Sequence, residues 1–228
     1  MELKVDRMPM KMKATMTLRY GPTGRESIGD EEYKLFQSWY QKKEERLFKD
    51  KYFTKKILPE LKNAKLLNGE LDYYRGVSSD VILDIPRMGP CPKDKFRPSE
   101  ENRYNFDFVA FYLAETELGV KRELKPPDGK VCILKYTINF DELHVADFSD
   151  DSLRLVNELL FHCELCGEEG YPTKKFSQYI GMYLSSLFDG VIVRGVRGDK
   201  NCHYKNFVWF NKLDYHKKYI NGTPYIYS

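Results

Sequence analysis

Three residues of this 228-residue chain are of types that could together hold and act on a phosphorylated nucleoside. Arg75 stands in the segment YYRG, Tyr112 lies at the end of an apolar run, and Glu123 follows in a charged segment. The planar guanidinium of arginine suits bidentate contacts with phosphate. A tyrosine ring can stack on a flat heterocycle, and a carboxylate can hold a ribose hydroxyl and stabilise positive charge at a sugar's anomeric carbon.

Each of these residues also has an ordinary structural interpretation. A single arginine in a strand is more often a surface residue, and a tyrosine in an apolar run is more often part of the core. A glutamate in a charged helix usually faces solvent. A second arginine, Arg103 in ENRYNF, has the same two interpretations. The residue types alone therefore leave the existence of a site open.

The segment FYLAETELGVKRE could bring two of these residues together, because its pattern changes from an apolar run to a charged stretch. This change predicts a strand through Tyr112 and then a short helix from about Glu115 to Leu124. Glu123 would lie about two helical turns into that helix, so both side chains could face one cleft. Arg75 falls in LDYYRGV (71–77), which the sequence predicts to be extended.

The rest of the chain predicts an α+β fold. Strands are predicted at 71–77, 81–85, 106–113, 130–140 and 143–148, and a final pair in the segments GVIVRGV and NFVWFN. Helices are predicted at 31–51, 53–65, 115–124, from Ser149 or Asp150 to Leu160, and at 176–188. Pro59 should divide or kink the second helix. Strands and helices do not alternate regularly, which favours α+β over a parallel α/β fold. We expect a lead-in and helical extension at 1–66 and one main domain at 67–228.

Composition excludes several classes of protein. Charged residues make up 31% and hydrophobic residues 42%, as in folded globular proteins. The 37 basic and 34 acidic side chains leave a charge of only +3, which indicates no nucleic-acid partner. No run approaches the ~18 apolar residues of a membrane span, and the first residues lack the apolar core of a signal peptide. We expect a cytoplasmic protein.

Cysteine chemistry offers a weak candidate for a metal centre. The five cysteines are an odd number, which suits free thiols in a reducing compartment. Cys163 and Cys166 form a C-x-x-C next to His162, and Cys202 adjoins His203. Two adjacent residues could hardly bind one zinc ion without strain, so we expect no metal site. The sequence also lacks the glycine-rich and catalytic motifs of dinucleotide-binding folds, P-loop proteins, serine hydrolases and zincins.

Several segments, taken in order, resemble the RES domain family, which has the ADP-ribosyltransferase type of fold. They are YYRG, RYN, FYLAET with Glu123 after it, FSQYI with FDGVIVRGVR, and KNFVWF. They span about residues 71 to 212, and the gap between Tyr112 and Glu123 is among the spacings shared with the family. The resemblance implies a mixed β-sheet core flanked by helices.

The resemblance also implies an activity and roles for the candidate residues. The family includes bacterial toxins that destroy NAD by cleaving its nicotinamide–ribose bond through hydrolysis or phosphorolysis, or that pass ADP-ribose to a protein. A helix-turn-helix antitoxin typically holds them inactive. On this basis Arg75 contacts the phosphates or ribose of NAD, Tyr112 positions the dinucleotide and Glu123 acts on the nicotinamide ribose. Arg103 is a further candidate for substrate binding.

One departure from the family keeps three functions open. Gly195 stands where the family commonly carries a serine, although Arg194 or Arg197 could supply hydrogen bonds there. The chain could cleave NAD as a toxin, or it could transfer ADP-ribose to a protein or nucleic acid. It could also be a non-catalytic member that binds a nucleotide or a partner protein, and Gly195 favours this third reading.

Overall fold

The computed structural model describes residues 49–92, 95, 104–105, 108–150, 153, 173–195, 197 and 203–228. Almost all of the predicted helix at 31–51 lies outside these residues, and so does the helix predicted to end at Leu160. Arg103 and the cysteines at 163, 166 and 202 also lie outside them. Predictions that concern these positions remain predictions.

In the described part of the chain, eight strands form one mixed sheet. They are β1 (Lys65–Leu66), β2 (Glu70–Ser78), β3 (Phe111–Ala114), β4 (Val131–Asn139), β5 (Val145–Asp147), β6 (Gly190–Arg194), β7 (Lys205–Trp209) and β8 (Tyr225–Tyr227). Their order is β1-β5-β6-β7-β3-β2-β4-β8. Only the pairing of β5 with β6 is parallel within this sheet.

Helices complete the predicted α+β class. A π-helical turn (Phe53–Ile57) leads into α1 (Leu58–Lys62), and α2 (Ile85–Met88), α3 (Glu117–Leu124) and α4 (Thr173–Leu187) follow. Two 3₁₀ helices lie at Phe140–Glu142 and Leu213–Tyr219. The predicted division or kink at Pro59 does not appear as a break, because the backbone is helical throughout 51–62 and only changes from π to α geometry at Leu58. Pro59 lies in the first turn of α1, where a missing N–H is tolerated.

Most of the strand predictions are confirmed, one predicted strand is shorter than expected, and one does not form. The predicted strands at 71–77 and 130–140 correspond to β2 and β4, which pair along their whole length. GVIVRGV and NFVWFN contain β6 and β7, which pair as predicted. β3 is much shorter than the predicted strand at 106–113, and β8 was not predicted.

The predicted strand at 81–85 is wrong. This segment has no regular structure before α2, and Val81 and Ile82 are 58% and 65% exposed. Strand β4 already pairs with β2 on one side and with β8 on the other, and the backbone N–H of Leu83 donates to Sγ of Cys132 instead of to a strand. Pro86 then lies in the first turn of the short helix, where its fixed φ and missing N–H are tolerated.

The sheet is covered on both faces. On one face, Phe53, Ile57 and Leu61 pack in one apolar cluster with Leu184 of α4 and with Val208. On the other face, Tyr73, Phe111, Leu134 and Trp209 belong to a second cluster, which includes Tyr219 of the last 3₁₀ helix. The residues at 53–64 therefore share a core with the sheet. None of the described helices has the length and apolar character needed to cross a bilayer.

Strands β2 and β3 separate in the middle of this sheet. They pair only at Tyr74 and Ala114, whereas β2 pairs with β4 from Glu70 to Ser78. Helix α3 packs over β2, where Gly76 makes room for it: a Cβ at Gly76 would lie 2.0 Å from Cγ1 of Val120. The separation leaves space between the strands and beneath the helix.

Gly181 of α4 lets the helix approach the backbone at Tyr104, and this contact gives a stability prediction. A Cβ at Gly181 would lie 1.8 Å from the carbonyl oxygen of Tyr104, which belongs to the backbone and cannot rotate away. We expect Gly181→Ala to lower the free energy of unfolding by about 2 kcal/mol or more, measured by chemical denaturation. The matched control is Ser186→Ala on the exposed side of α4. Equal stabilities of the two variants would contradict this packing.

Candidate functional site

A pocket of about 300 Å³ opens where β2 and β3 separate. Residues of β2, β3, β7 and α3 line it, and the polar ones include Arg75, Tyr112, Glu123, Arg197 and Asn206. The three principal candidates from the sequence thus lie around one cavity, although long stretches of chain separate Arg75 from the other two. Arg103 lies outside the described residues.

Arg75 carries a positive charge that the described protein does not neutralise. Its Nη1 donates a hydrogen bond to the main-chain oxygen of Tyr112 at 3.3 Å, and its Cζ lies 5.4 Å from the centre of the Phe111 ring. Its Nε is buried and has no hydrogen-bond partner among the described residues. Burial lowers the pKa of Arg75, and the nearby groups that oppose this are the Tyr136 phenol and the Cys91 thiol, not a carboxylate.

Arg75 affects the site in two ways. Its hydrogen bond to Tyr112 bridges β2 and β3 at the place where their own pairing has ended. Its charge is partly buried, with Nε fully enclosed, and this is costly unless an anion accompanies it. The arrangement therefore favours a negatively charged ligand in the pocket.

Tyr112 uses its hydroxyl to hold the pocket wall. The hydroxyl donates to Oδ1 of Asn105 at 2.7 Å and accepts from the backbone N–H of Tyr104 at 3.2 Å. Tyr104 itself lines the pocket. The hydroxyl of Tyr112 is therefore used in hydrogen bonds to the segment at 104–105. A ligand in the pocket would contact the ring of Tyr112, which also shapes the wall.

Glu123 lies in the last turn of α3, where the helix dipole disfavours a carboxylate. Three polar side chains offset this. Oε1 accepts hydrogen bonds from the Tyr204 hydroxyl at 2.9 Å and from Nδ2 of Asn206 at 2.7 Å. Oε2 lies 3.9 Å from Nε of Arg197, and the side chain remains 27% exposed. The carboxylate is thus held from one side and open to the pocket on the other.

Local structure fixes the orientation of Glu123. Thr116 caps the start of α3 by accepting a hydrogen bond from the backbone N–H of Gly119, and Lys125 ends the helix in a left-handed conformation. Both ends of this short helix are therefore defined. Arg197 also donates to the main-chain oxygen of Glu123.

Two partners of Glu123 were missed in the sequence. Tyr204 and Asn206 stand in or beside the segment KNFVWF, which drew attention as a strand and not through these side chains. The available signal was Asn206, a polar residue in a strand that is otherwise largely apolar. Tyr204 gives no such signal, because a tyrosine next to a strand usually belongs to the core.

Arg194 and Arg197, which the sequence offered as sources of hydrogen bonds near Gly195, differ in position. Nε of Arg194 donates to the main-chain oxygen of Ser149 at 2.7 Å, and this residue does not line the pocket. Arg197 lines the pocket and approaches Glu123. Of the two, Arg197 is the one placed to act in the site.

A scan against protein-family models finds no match to this chain, and a search of curated proteins finds no significant match. Among the described residues, no group of three or more histidine, cysteine, aspartate or glutamate side chains is arranged to hold a metal ion. A function can therefore be inferred only from the geometry of the pocket and from the resemblance seen in the sequence.

The hydroxyl of Tyr112 leads to a prediction about stability. Tyr112→Phe leaves Oδ1 of Asn105 and the N–H of Tyr104 without this partner, while the ring remains. We expect the free energy of unfolding to fall by about 1–2 kcal/mol, measured by chemical denaturation. Tyr215→Phe, at a residue that is 42% exposed, is the control and should change it by less than about 0.5 kcal/mol. An unchanged stability of Tyr112→Phe would show that these hydrogen bonds do not hold the wall.

Proposed function

We propose that this protein binds NAD in the pocket between β2 and β3 and cleaves its nicotinamide–ribose bond, on a fold of the ADP-ribosyltransferase type. One observation carries the proposal: Arg75 and Glu123, which are distant in the chain, line the same cavity. A guanidinium and a carboxylate on one cavity match the two ends of a nicotinamide nucleotide, which are an anionic phosphate and a ribose joined to a cationic base.

The Arg75 side supports binding of the phosphates. The guanidinium has no carboxylate partner in the described part of the chain, and its Nε is buried without a hydrogen bond. A phosphate oxygen would accept charge-assisted hydrogen bonds from such a group, which are stronger than those between neutral groups. The same interaction would neutralise the buried charge.

The size of the pocket supports binding of only part of the dinucleotide. Its volume of about 300 Å³ lies at the lower end of the range for small-molecule sites, which is ~300–1,000 Å³. This space suits the nicotinamide ribose and its phosphate better than the whole of NAD. In the proposed complex the adenosine half extends out of the pocket.

The Glu123 side supports the chemical step. The bond between the ribose anomeric carbon and the pyridinium nitrogen breaks, and its electron pair leaves with nicotinamide, which becomes neutral. No general acid is needed, because the leaving group is already cationic. The positive charge that develops on the ribose would be stabilised by the Glu123 carboxylate, held in place by Tyr204 and Asn206.

The acceptor that completes the reaction distinguishes the remaining possibilities. Water gives ADP-ribose, inorganic phosphate gives ADP-ribose phosphate, and a side chain of another protein gives an ADP-ribosylated product. The resemblance also leads us to propose a helix-turn-helix antitoxin as a partner, and the composition leads us to propose a cytoplasmic location.

Release of nicotinamide tests the proposed reaction. Purified protein incubated with NAD should release nicotinamide, followed by chromatography, and Glu123→Gln should lower the rate by about 100-fold or more. Glu117→Gln, on the same helix but outside the pocket, is the matched control and should retain the rate. Parallel reactions with and without phosphate identify the acceptor. No release by the wild-type protein, or equal rates for the two glutamine variants, would contradict the proposal.

Binding of NAD tests the role of Arg75 separately from turnover. Arg75→Lys keeps the charge but removes the planar fork, so we expect the Kd for NAD to rise about tenfold or more in calorimetry with the Glu123→Gln background. Arg87→Lys at an exposed position of α2 is the control. Binding that is insensitive to Arg75→Lys would show that the phosphates lie elsewhere. Binding by the wild-type protein without turnover would favour the non-catalytic alternative.

A further inference from the structure

We infer that Tyr204 is a positioning residue that sets the Glu123 carboxylate for the reaction, and that Gly195 and Gly119 are the two positions that seat its ring. The predicted effect of Tyr204 on catalysis rests on the proposed function, whereas its effect on the position of Glu123 does not. Tyr204 does not line the pocket, so it would act on the substrate only through Glu123.

The ring of Tyr204 packs closely against two glycines. A Cβ at Gly195, which follows β6, would lie 2.0 Å from Cε2 of this ring, and a Cβ at Gly119 of α3 would lie 2.8 Å from Cδ2. The backbone N–H of Gly195 also donates to the main-chain oxygen of Tyr204 at 2.8 Å. The residue is only 3% exposed. These contacts leave the ring little freedom to move.

The same helix carries one of the glycines and the carboxylate. Gly119 and Glu123 are four positions apart on α3 and therefore lie on one helical face. A ring seated against Gly119 reaches along this face and places its hydroxyl 2.9 Å from Oε1 of Glu123. The close approach of the backbone at Gly119 and at Gly195 thus restricts the position of the hydroxyl.

The hydrogen bonds give the two carboxylate oxygens different roles. Oε1 accepts from both Tyr204 and Asn206, whereas Oε2 lies near only Arg197 in the described part of the chain, at 3.9 Å. Oε2 is therefore the oxygen presented to a substrate in the pocket. The family that the sequence resembles commonly has a serine where this chain has Gly195. Here the ring of Tyr204 fills the space that a side chain at position 195 would take.

The substitution Tyr204→Phe removes the hydroxyl but retains the ring. We expect the kcat for nicotinamide release to fall by about tenfold or more, while the KM for NAD changes less than twofold. Tyr225→Phe is the matched control, because the Tyr225 hydroxyl donates to Glu117 of the same helix outside the pocket. An unchanged kcat for Tyr204→Phe in an active protein, or an equal loss for Tyr225→Phe, would overturn the inference.

A double-mutant cycle tests the role of Gly195. Gly195→Ala should displace the ring and lower kcat, but it should add little to the loss in the Tyr204→Phe background, because the displaced hydroxyl is then already absent. Fully additive losses would show that Gly195 acts independently of the Tyr204 hydroxyl. Chemical denaturation of each variant separates these effects from unfolding.

Crystal structures of the wild-type and Tyr204→Phe proteins provide a readout that needs no turnover. We expect the Glu123 side chain to leave its wild-type rotamer when the hydroxyl is absent. A Glu123 carboxylate that stays in place in the variant would overturn the inference whatever the activity. If the wild-type protein releases no nicotinamide, the proposed function fails, and this comparison still decides whether Tyr204 positions Glu123.

Discussion

The separation of β2 from β3 is the structural constraint on which the proposed site depends. These neighbouring strands pair at one position only, Tyr74 with Ala114, although the strands on either side of them are paired over longer stretches. A continuous sheet would leave no cavity at this place. The side chain of Arg75 replaces part of the missing backbone pairing by donating to the main-chain oxygen of Tyr112. A residue proposed to bind phosphate is therefore also part of the sheet.

The carboxylate on the opposite wall depends on a different set of interactions. Glu123 lies in the last turn of a short helix that is packed over β2 through Gly76, and its side chain is held by residues that come much later in the chain. Strand β7 thus connects the two walls, because it pairs with β3 and also carries Asn206. The last third of the chain is as important to this site as the segments that supply Arg75 and Glu123.

Sequence patterns were sufficient to predict those strands and helices in which the conformational preference of the residues agrees with their burial. The extended segment of β2, the alternation in β4, the apolar runs of β6 and β7, and the change of pattern before α3 each predicted the element that forms. The segment at 81–85 was predicted as a strand because its residues favour strands, but β4 is already paired on both sides and the backbone N–H of Leu83 donates to the Cys132 side chain. A run of suitable residues cannot reveal whether a partner strand is available.

The same limit applies to the site. Arg75, Tyr112 and Glu123 could be selected by residue type and by resemblance, and the structure brings all three to one cavity. The contact of the Tyr204 ring with Gly195 and Gly119 could not be predicted, because it joins three segments that are distant in sequence. The hydroxyl of Tyr112 likewise has a structural partner, Asn105, that no spacing in the sequence indicated.

A crystal structure with a carbocyclic analogue of NAD, which cannot be cleaved at the anomeric position, would test the central claim most directly. The account predicts a phosphate within hydrogen-bond distance of the Arg75 guanidinium and the nicotinamide ribose analogue against Oε2 of Glu123. A ligand bound away from the cleft between β2 and β3, with the pocket lined by these two side chains left empty, would contradict it.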